Sequence, residues 1–306
     1  MRILITPRSL TAVGLENVRE LDQLRALGHE LVAGPAGRLP TEAELIFLVA
    51  GVDAWLAGVE PISARVLGAA SSLKIISRNG VGADAIDLAA ATSHGIEILL
   101  ARGANSRGVA ELTILLALAA LRDLPRANTD MKQGTWLRGL GREMPDITLG
   151  LIGFGAIGRL VAQLASAFGT AVLAHDAYAE VSSDAVSATL REVFERSDVV
   201  SLHSPPAADG KPLVTAEVLG WMKPGSILIN TARSTLVEDM AVLDALNREH
   251  LAAYAVDAFD SEPPVLNKLH RHPKTILTPH IGGFTAASTR RATELAVTNL
   301  LTRLGP

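Results

Sequence analysis

"LGLIGFGAIGRLVAQLASAFG", residues 149–169, decides how this chain folds. An apolar run rich in Leu and Ile stops at Gly153; Gly155 and Gly158 follow, and a helix-length segment with an apolar stripe begins at once. A bare GxGxxG is common, but placed after a strand and at the head of a helix it has a mechanical reading. Gly153 permits the tight turn, Gly155 lets backbone come close to a pyrophosphate, and Gly158 lets helix and strand pack closely. The N–H groups at the helix start, from Ala156 and Ile157, remain open to an anion. Asp176 lies 18 residues beyond Gly158, at the end of the next apolar run, "AVLAHD". A carboxylate there accepts hydrogen bonds from both ribose hydroxyls of NAD and would repel a 2′-phosphate, so NAD is expected in preference to NADP.

Working outward from this loop, strands are expected at "DVVSLHS", "SILINTA", "AAYAVDAF" and "TILTPH", separated by helices such as "MAVLDALNREH". The first hundred residues show the same alternation: "RILIT", "HELVAG", "DAWLAG", "LKIIS" and "IEILL", with helix-length segments between them. β-strands alternating with helices imply parallel sheets with crossover helices, hence an α/β fold of two doubly wound parallel-sheet lobes. A chain of 306 residues exceeds the roughly 100–200 of one domain, which agrees with two lobes and a cleft. The apolar stretch around residues 103–133 suits a hinge, and the tail "TAASTRRATELAVTNLLTRL" reads as an amphipathic helix packed back on one lobe.

Composition excludes several classes. The net charge of −4 and the lack of any basic run offer no field for nucleic acid or an anionic membrane surface. With no cysteine there is no disulfide, thiolate nucleophile or sulfur-ligated zinc, and the histidines have no partners at metal-ligand spacing, so no metal is expected. "MRILITPRSL" lacks the apolar core of a signal peptide, and "ELTILLALAALRDL" is too short to span a bilayer, so a cytoplasmic protein is expected. Trp55, Trp136 and Trp221 read as packing residues.

In open α/β sheets, ligands sit beyond the carboxyl ends of the strands. Three polar residues are stranded there: Arg233 closing "ILINTAR", Glu262 in "DSEPP", and His280 in "TPHIGG". The arginine fork matches a carboxylate. A glutamate beside a histidine stabilises the imidazolium and fixes its tautomer.

At these residues the chain resembles the D-isomer-specific 2-hydroxyacid dehydrogenases. Motifs of that family stand in order in "SRNGVGADAIDLAAA" (77–91), "RGANSRGVAELT" (102–113), "GLIGFGAIGRL" (150–160), "LHSPP" (202–206), "INTARSTLVED" (229–239), "AVDAFDSEPP" (255–264) and "TPHIGG" (278–283). The resemblance implies a Rossmann dinucleotide-binding domain, residues 102–284, inserted in a flavodoxin-like substrate domain formed by 1–101 and 285–306. It implies that Arg233 holds the substrate carboxylate and polarises the 2-oxo group, that Glu262 supports His280, and that His280 gives or takes the proton while hydride passes to or from NAD. It further places His203, Pro205, Thr231, Ala232, Asp257, Gly282 and Gly283 around the cofactor, with Asp257 near the nicotinamide carboxamide. Gly58, Arg78, Val81 and Gly82 of the first lobe are assigned to the substrate, the glycine loops by offering backbone N–H groups to its carboxylate. A homodimer through the NAD-binding domain is expected, and lobe closure on binding.

Glu60 stands in a loop where some 3-phosphoglycerate-using members carry arginine, and it would repel a phosphate. The expected substrates are therefore 3-phosphoglycerate, glyoxylate, hydroxypyruvate and related small 2-oxo or 2-hydroxy acids. No C-terminal regulatory domain, and no serine feedback through one, is expected. Two rivals share the architecture: an NAD-sensing binding protein akin to transcriptional corepressors, and a formate dehydrogenase-like enzyme, which Glu262 disfavours because glutamine partners the histidine there.

Overall fold

The computed structural model describes residues 1–181, 184–207 and 209–304. The chain divides into two compact units, Met1–Asn105 with Ala286–Pro306, and Ser106–Thr285; the last two residues of the tail, 305 and 306, lie outside the described residues.

The first unit is built on β1 (Arg2–Ile5), β2 (Glu30–Ala33), β3 (Ala54–Ala57), β4 (Ile75–Arg78) and β5 (Glu97–Leu100), with helices α1 (Arg8–Thr11), α2 (Asp22–Ala26), α3 (Glu42–Leu48), α4 (Ala64–Ala69) and α5 (Leu88–Ser93) between them. The strands lie in the order β2-β1-β3-β4-β5, all parallel. Alternate residues face opposite layers, as the two-residue period of a strand requires. Leu4, Trp55 and Ile76 enter one core with Leu45, Val66 and Leu67, while Ile3, Ile5, Leu56 and Ile75 enter another with Leu21 and Leu24. Helix α12 (Ala286–Leu304) closes the second layer through Ala296, Val297 and Leu300 and is pinned by the Ser77 hydroxyl donating to the Ala296 carbonyl at 2.8 Å. The tail thus packs on a lobe, as its periodicity suggests.

The second unit holds β6 (Thr148–Ile152), β7 (Ala171–His175), β8 (Val186–Ser187), β9 (Val199–Leu202), β10 (Ser226–Asn230), β11 (Leu251–Val256) and β12 (Thr275–Leu277). Its helices are α6 (Ser106–Leu121), α7 (Leu124–Lys132), α8 (Ala156–Ala167), α9 (Leu190–Arg196), α10 (Ala216–Trp221) and α11 (Asp239–Asn247). The seven strands run parallel in the order β12-β11-β10-β9-β6-β7-β8. From β6 the chain adds β7 and β8 on one side, then returns to β9 on the other. The order therefore reverses between β6 and β9, the position at which doubly wound sheets bind dinucleotides.

Helix α6 corrects the expectation of a hinge. Its Ala110, Leu112, Ile114, Leu116, Ala117 and Leu121 pack with Leu149, Leu151 and Val161 in one core layer of this unit, because its apolar residues wrap most of the helix circumference. A further correction concerns Trp136. Trp55 is fully buried and Trp221 meets Phe194 edge-on, but Trp136 is 74% exposed, together with Leu137 and Leu140.

Candidate active site

The glycine turn after β6 shows why each small residue is needed. Gly153 has φ +100°, and a Cβ on it would lie 2.6 Å from the backbone carbon of His203, so the turn crosses the end of β9 with no room for a side chain. A Cβ on Gly158 would lie 2.2 Å from the Gly153 oxygen. Gly155 differs: nothing lies within 4 Å of the added carbon, and it caps the exposed start of α8 at Ala156. The open side of Gly155 and the N–H groups heading α8 suit a pyrophosphate.

Asp176, one residue past β7, accepts hydrogen bonds from the backbone N–H of Phe154 at 2.6 Å and of Tyr178 and Ala179 at 2.8 Å. Burial alone would raise its carboxyl, but these N–H groups outweigh that and hold it below the ordinary carboxylate value. It is thus ionised at neutral pH beside the glycine turn, the charge a ribose tolerates and a 2′-phosphate does not. The residues present fit NAD.

Three adjacent strands deliver the remaining side chains to the same sheet edge. Asn230, Val256 and Leu277, the last residues of β10, β11 and β12, are paired in register. Arg233, Glu262 and His280 follow these ends by three, six and three residues. His280 Nδ1 and Glu262 Oε1 are 2.5 Å apart, each side chain about half exposed. Nε2 is therefore the ring nitrogen left for a ligand. Half exposure makes the pair a weak contributor to stability; its consequence is orientation of the ring.

His280 also has φ +51°, in the left-handed region that non-glycine residues seldom occupy. The loop holding it there is anchored by Asp257, which is 2% exposed. Asp257 Oδ1 accepts from the Thr278 hydroxyl at 2.6 Å and the Ile281 N–H at 2.8 Å, and Oδ2 accepts from the Gly282 N–H at 2.8 Å. Such strain, of order 1–3 kcal/mol, persists only where neighbours over-determine the backbone. Gly282 is buried against α6: a Cβ there would meet Asp257 Oδ2 at 3.0 Å and Val109 Cγ2 at 3.3 Å.

Arg233 sits on a turn clamped by Asn230, whose Nδ2 donates to the Arg233 carbonyl at 2.8 Å and whose Oδ1 accepts from the Ala232 N–H at 3.1 Å. The guanidinium is partly buried, and Nη1 donates to the Ala232 carbonyl at 2.8 Å. Thr231 is buried with its hydroxyl 3.2 Å from that of Thr113 on α6. His203, just past β9, has Nε2 3.0 Å from the Ser201 hydroxyl, an enclosed Nδ1 without a partner, and an imidazole pushed down to about 4 by burial. Pro205 is exposed and Gly283 partly buried.

In the first unit, Gly58 requires a correction. Its N–H, expected to face a substrate carboxylate, donates to Glu60 Oε1 at 2.8 Å within the chain, because the Glu60 carboxylate folds back over the bare face of the glycine. Arg78 is partly buried and donates from Nη1 to the Asn79 carbonyl at 2.9 Å, with Val81 and Gly82 partly buried beyond it.

Sequence reasoning missed Asn230 and Thr278. A lone Asn closing the apolar run "ILIN" was the available signal, since a buried amide must find partners. Thr278 gave none, its partner being 21 residues away.

A doubly wound sheet with a glycine turn at its switch point, an ionised ribose-side carboxylate and a His–Glu pair at the same edge defines a dinucleotide-binding unit equipped for proton transfer. Sequence comparison identifies it further. The family model described as D-isomer specific 2-hydroxyacid dehydrogenase, NAD binding domain, matches residues 114–282, and the chain belongs to that family. It is 36% identical over 267 residues to D-3-phosphoglycerate dehydrogenase of Mycobacterium bovis, covering 84% of this chain and 50% of that one, so the chain spans about half the length of that relative. It is 35% identical to hydroxypyruvate reductase of Thermotoga maritima over 86% of this chain and 88% of that protein. A crystal structure of a protein from Thermus thermophilus superposes with a TM-score of 0.87 at 34% identity, covering 99% of this chain and 97% of that one.

Among the described residues no group of three potential metal ligands occurs, and no helix is long and apolar enough to cross a membrane.

Proposed function

We propose that the protein is an NAD-dependent oxidoreductase, interconverting a D-2-hydroxy acid and its 2-oxo acid. The observation that carries this reading is the 2.5 Å contact between His280 and Glu262 on the sheet edge that also bears the glycine turn. NAD, when bound, supplies the hydride acceptor, and NADH the donor. Arg233 holds the substrate carboxylate and polarises the 2-oxo oxygen. His280 carries the transferable proton on Nε2, because Nδ1 is engaged by Glu262, and it returns to the imidazolium when the alcohol is oxidised. Asp257 positions the His280 loop and lines the nicotinamide side with Thr231, Ala232 and Gly283; His203 and Pro205 border the dinucleotide. In the first unit, Arg78, Val81 and Gly82, with the loop at Gly58, form the substrate side. Substrates of the 3-phosphoglycerate, glyoxylate and hydroxypyruvate type are consistent with the names of the relatives.

The test is a spectrophotometric screen at 340 nm with NADH and NADPH against glyoxylate, hydroxypyruvate, pyruvate, phosphonooxypyruvate and bulkier 2-oxo acids. NADH oxidation by at least one of the small acids is expected. Tight NADH binding with no oxidation by any acid would favour an NAD-sensing binding module, and formate-dependent NAD reduction would favour a formate dehydrogenase. We further propose a cytoplasmic homodimer joined through the NAD-binding unit, supported by the exposed apolar side chains Trp136, Leu137 and Leu140 of that unit.

A further inference from the structure

The first unit holds a buried anion that the reaction above does not use. Its strand order reverses between β1 and β3, since the chain leaves β1 for β2 on one side and then places β3 on the other. Thr6 and Pro7 follow β1, and Gly58 to Glu60 follow β3, so both loops flank the switch point, where such sheets take ligands. Glu60 is wholly buried there. Its Oε1 accepts from the Thr6 hydroxyl and from the Gly58 N–H. Trp55 Nε1 donates to the Thr6 oxygen at 2.7 Å, which leaves the single hydroxyl proton of Thr6 for Glu60. Oε2 has no partner, and a Cβ on Gly58 would lie 2.5 Å from it.

A carboxylate with one oxygen shielded from water and unpaired keeps a field that solvent screens poorly. The nearby cation does not cancel it for a ligand: Arg78, pushed down by burial, already answers to both Glu60 and Asp84. One guanidinium facing two carboxylates leaves no spare positive charge for a dianion. Resting on the dehydrogenase reading and its placement of substrate at these loops, we propose that Glu60 is a specificity-determining residue that rejects phosphorylated substrates, so that the protein acts on unphosphorylated small 2-oxo acids. Glu60 acts through its charge and touches no reacting atom.

The experiment is calorimetric titration of the full chain, saturated with NADH, with D-glycerate and with D-3-phosphoglycerate, in the wild type and in Glu60→Gln. Neither acid reacts with NADH, so binding is read without turnover. Glutamine keeps an acceptor for Thr6 and Gly58 and replaces Oε2 by a neutral donor. The wild type is expected to bind D-glycerate at least about tenfold more tightly, a difference of about 1.4 kcal/mol. Glu60→Gln is expected to shrink the gap to about threefold or less, mainly by tightening the phosphorylated acid. Equal or tighter binding of D-3-phosphoglycerate by the wild type, no binding of either acid, or an unchanged ratio in a folded Glu60→Gln would overturn the proposal. Should the variant fail to fold by circular dichroism, the wild-type ratio alone decides. Glyoxylate reduction at 340 nm tests the dehydrogenase reading separately, since glyoxylate has no third carbon to phosphorylate: activity there with phosphate preferred refutes Glu60 alone.

Discussion

Single residues here act through the charge they are made to hold. Asp176 is kept ionised by three backbone N–H groups. Asp176→Ala is expected to weaken NADH and to relieve the repulsion of a 2′-phosphate, moving the NADH-to-NADPH affinity ratio by at least about tenfold toward NADPH; fluorescence titration with both nucleotides checks it, and an unchanged ratio would refute the ribose role. His203 is held neutral, its imidazole pushed from 6.5 to about 4. Below pH 6.5 the unfolded chain binds a proton that the folded one refuses, so this group's contribution to stability is complete above about 6.5 and lost as pH falls toward 4. A His203→Gln variant should therefore lose less stability than the wild type between pH 7 and 4.5, as read from urea midpoints; parallel losses would count against the buried neutral ring. Asp176 and the glycines were legible because their spacing along one βα unit is local. The Asp257 anchor was not, because it joins groups 21 to 25 residues apart whose pairing only the fold creates.

Elements explain why neighbouring glycines are not equivalent. In the turn between β6 and α8, Gly158 faces the Gly153 carbonyl at a distance no Cβ tolerates, whereas Gly155 faces open space. Gly158→Ala should lower the melting temperature, at a cost of about 1–3 kcal/mol from overpacking, and abolish NADH binding. Gly155→Ala should melt like the wild type and lose only nucleotide affinity. If both variants melt alike, the turn is not packed as described. At this scale the long strands and α8 could be read from their periodicity, but β8, two residues long, and β12, three residues long, carry too few positions for a period to show. Helix α6 was misread for a related reason: apolar on nearly all sides, it offers no stripe to distinguish a core helix from a connector.

For the whole molecule, two parallel sheets with reversed strand order each place a loop cluster at a switch point, and the relatives that superpose share this architecture. The fold class was legible because alternation of strand and helix recurs along the entire chain. The surface was not: Trp136, Leu137 and Leu140 carry the composition of a core yet stand exposed. Such side chains mark an interaction surface. Light scattering should give twice the mass of one chain, and Trp136→Ala combined with Leu140→Ser should shift it toward the monomer; a monomeric wild type would remove the dimer. The central claim is that His280 moves the proton in a reaction the intact chain catalyses, and the turnover of His280→Ala with NADH and the best 2-oxo acid tests it most directly. A fall of about 10²–10⁴ in kcat with NADH affinity retained is predicted; turnover equal to the wild type would contradict the account.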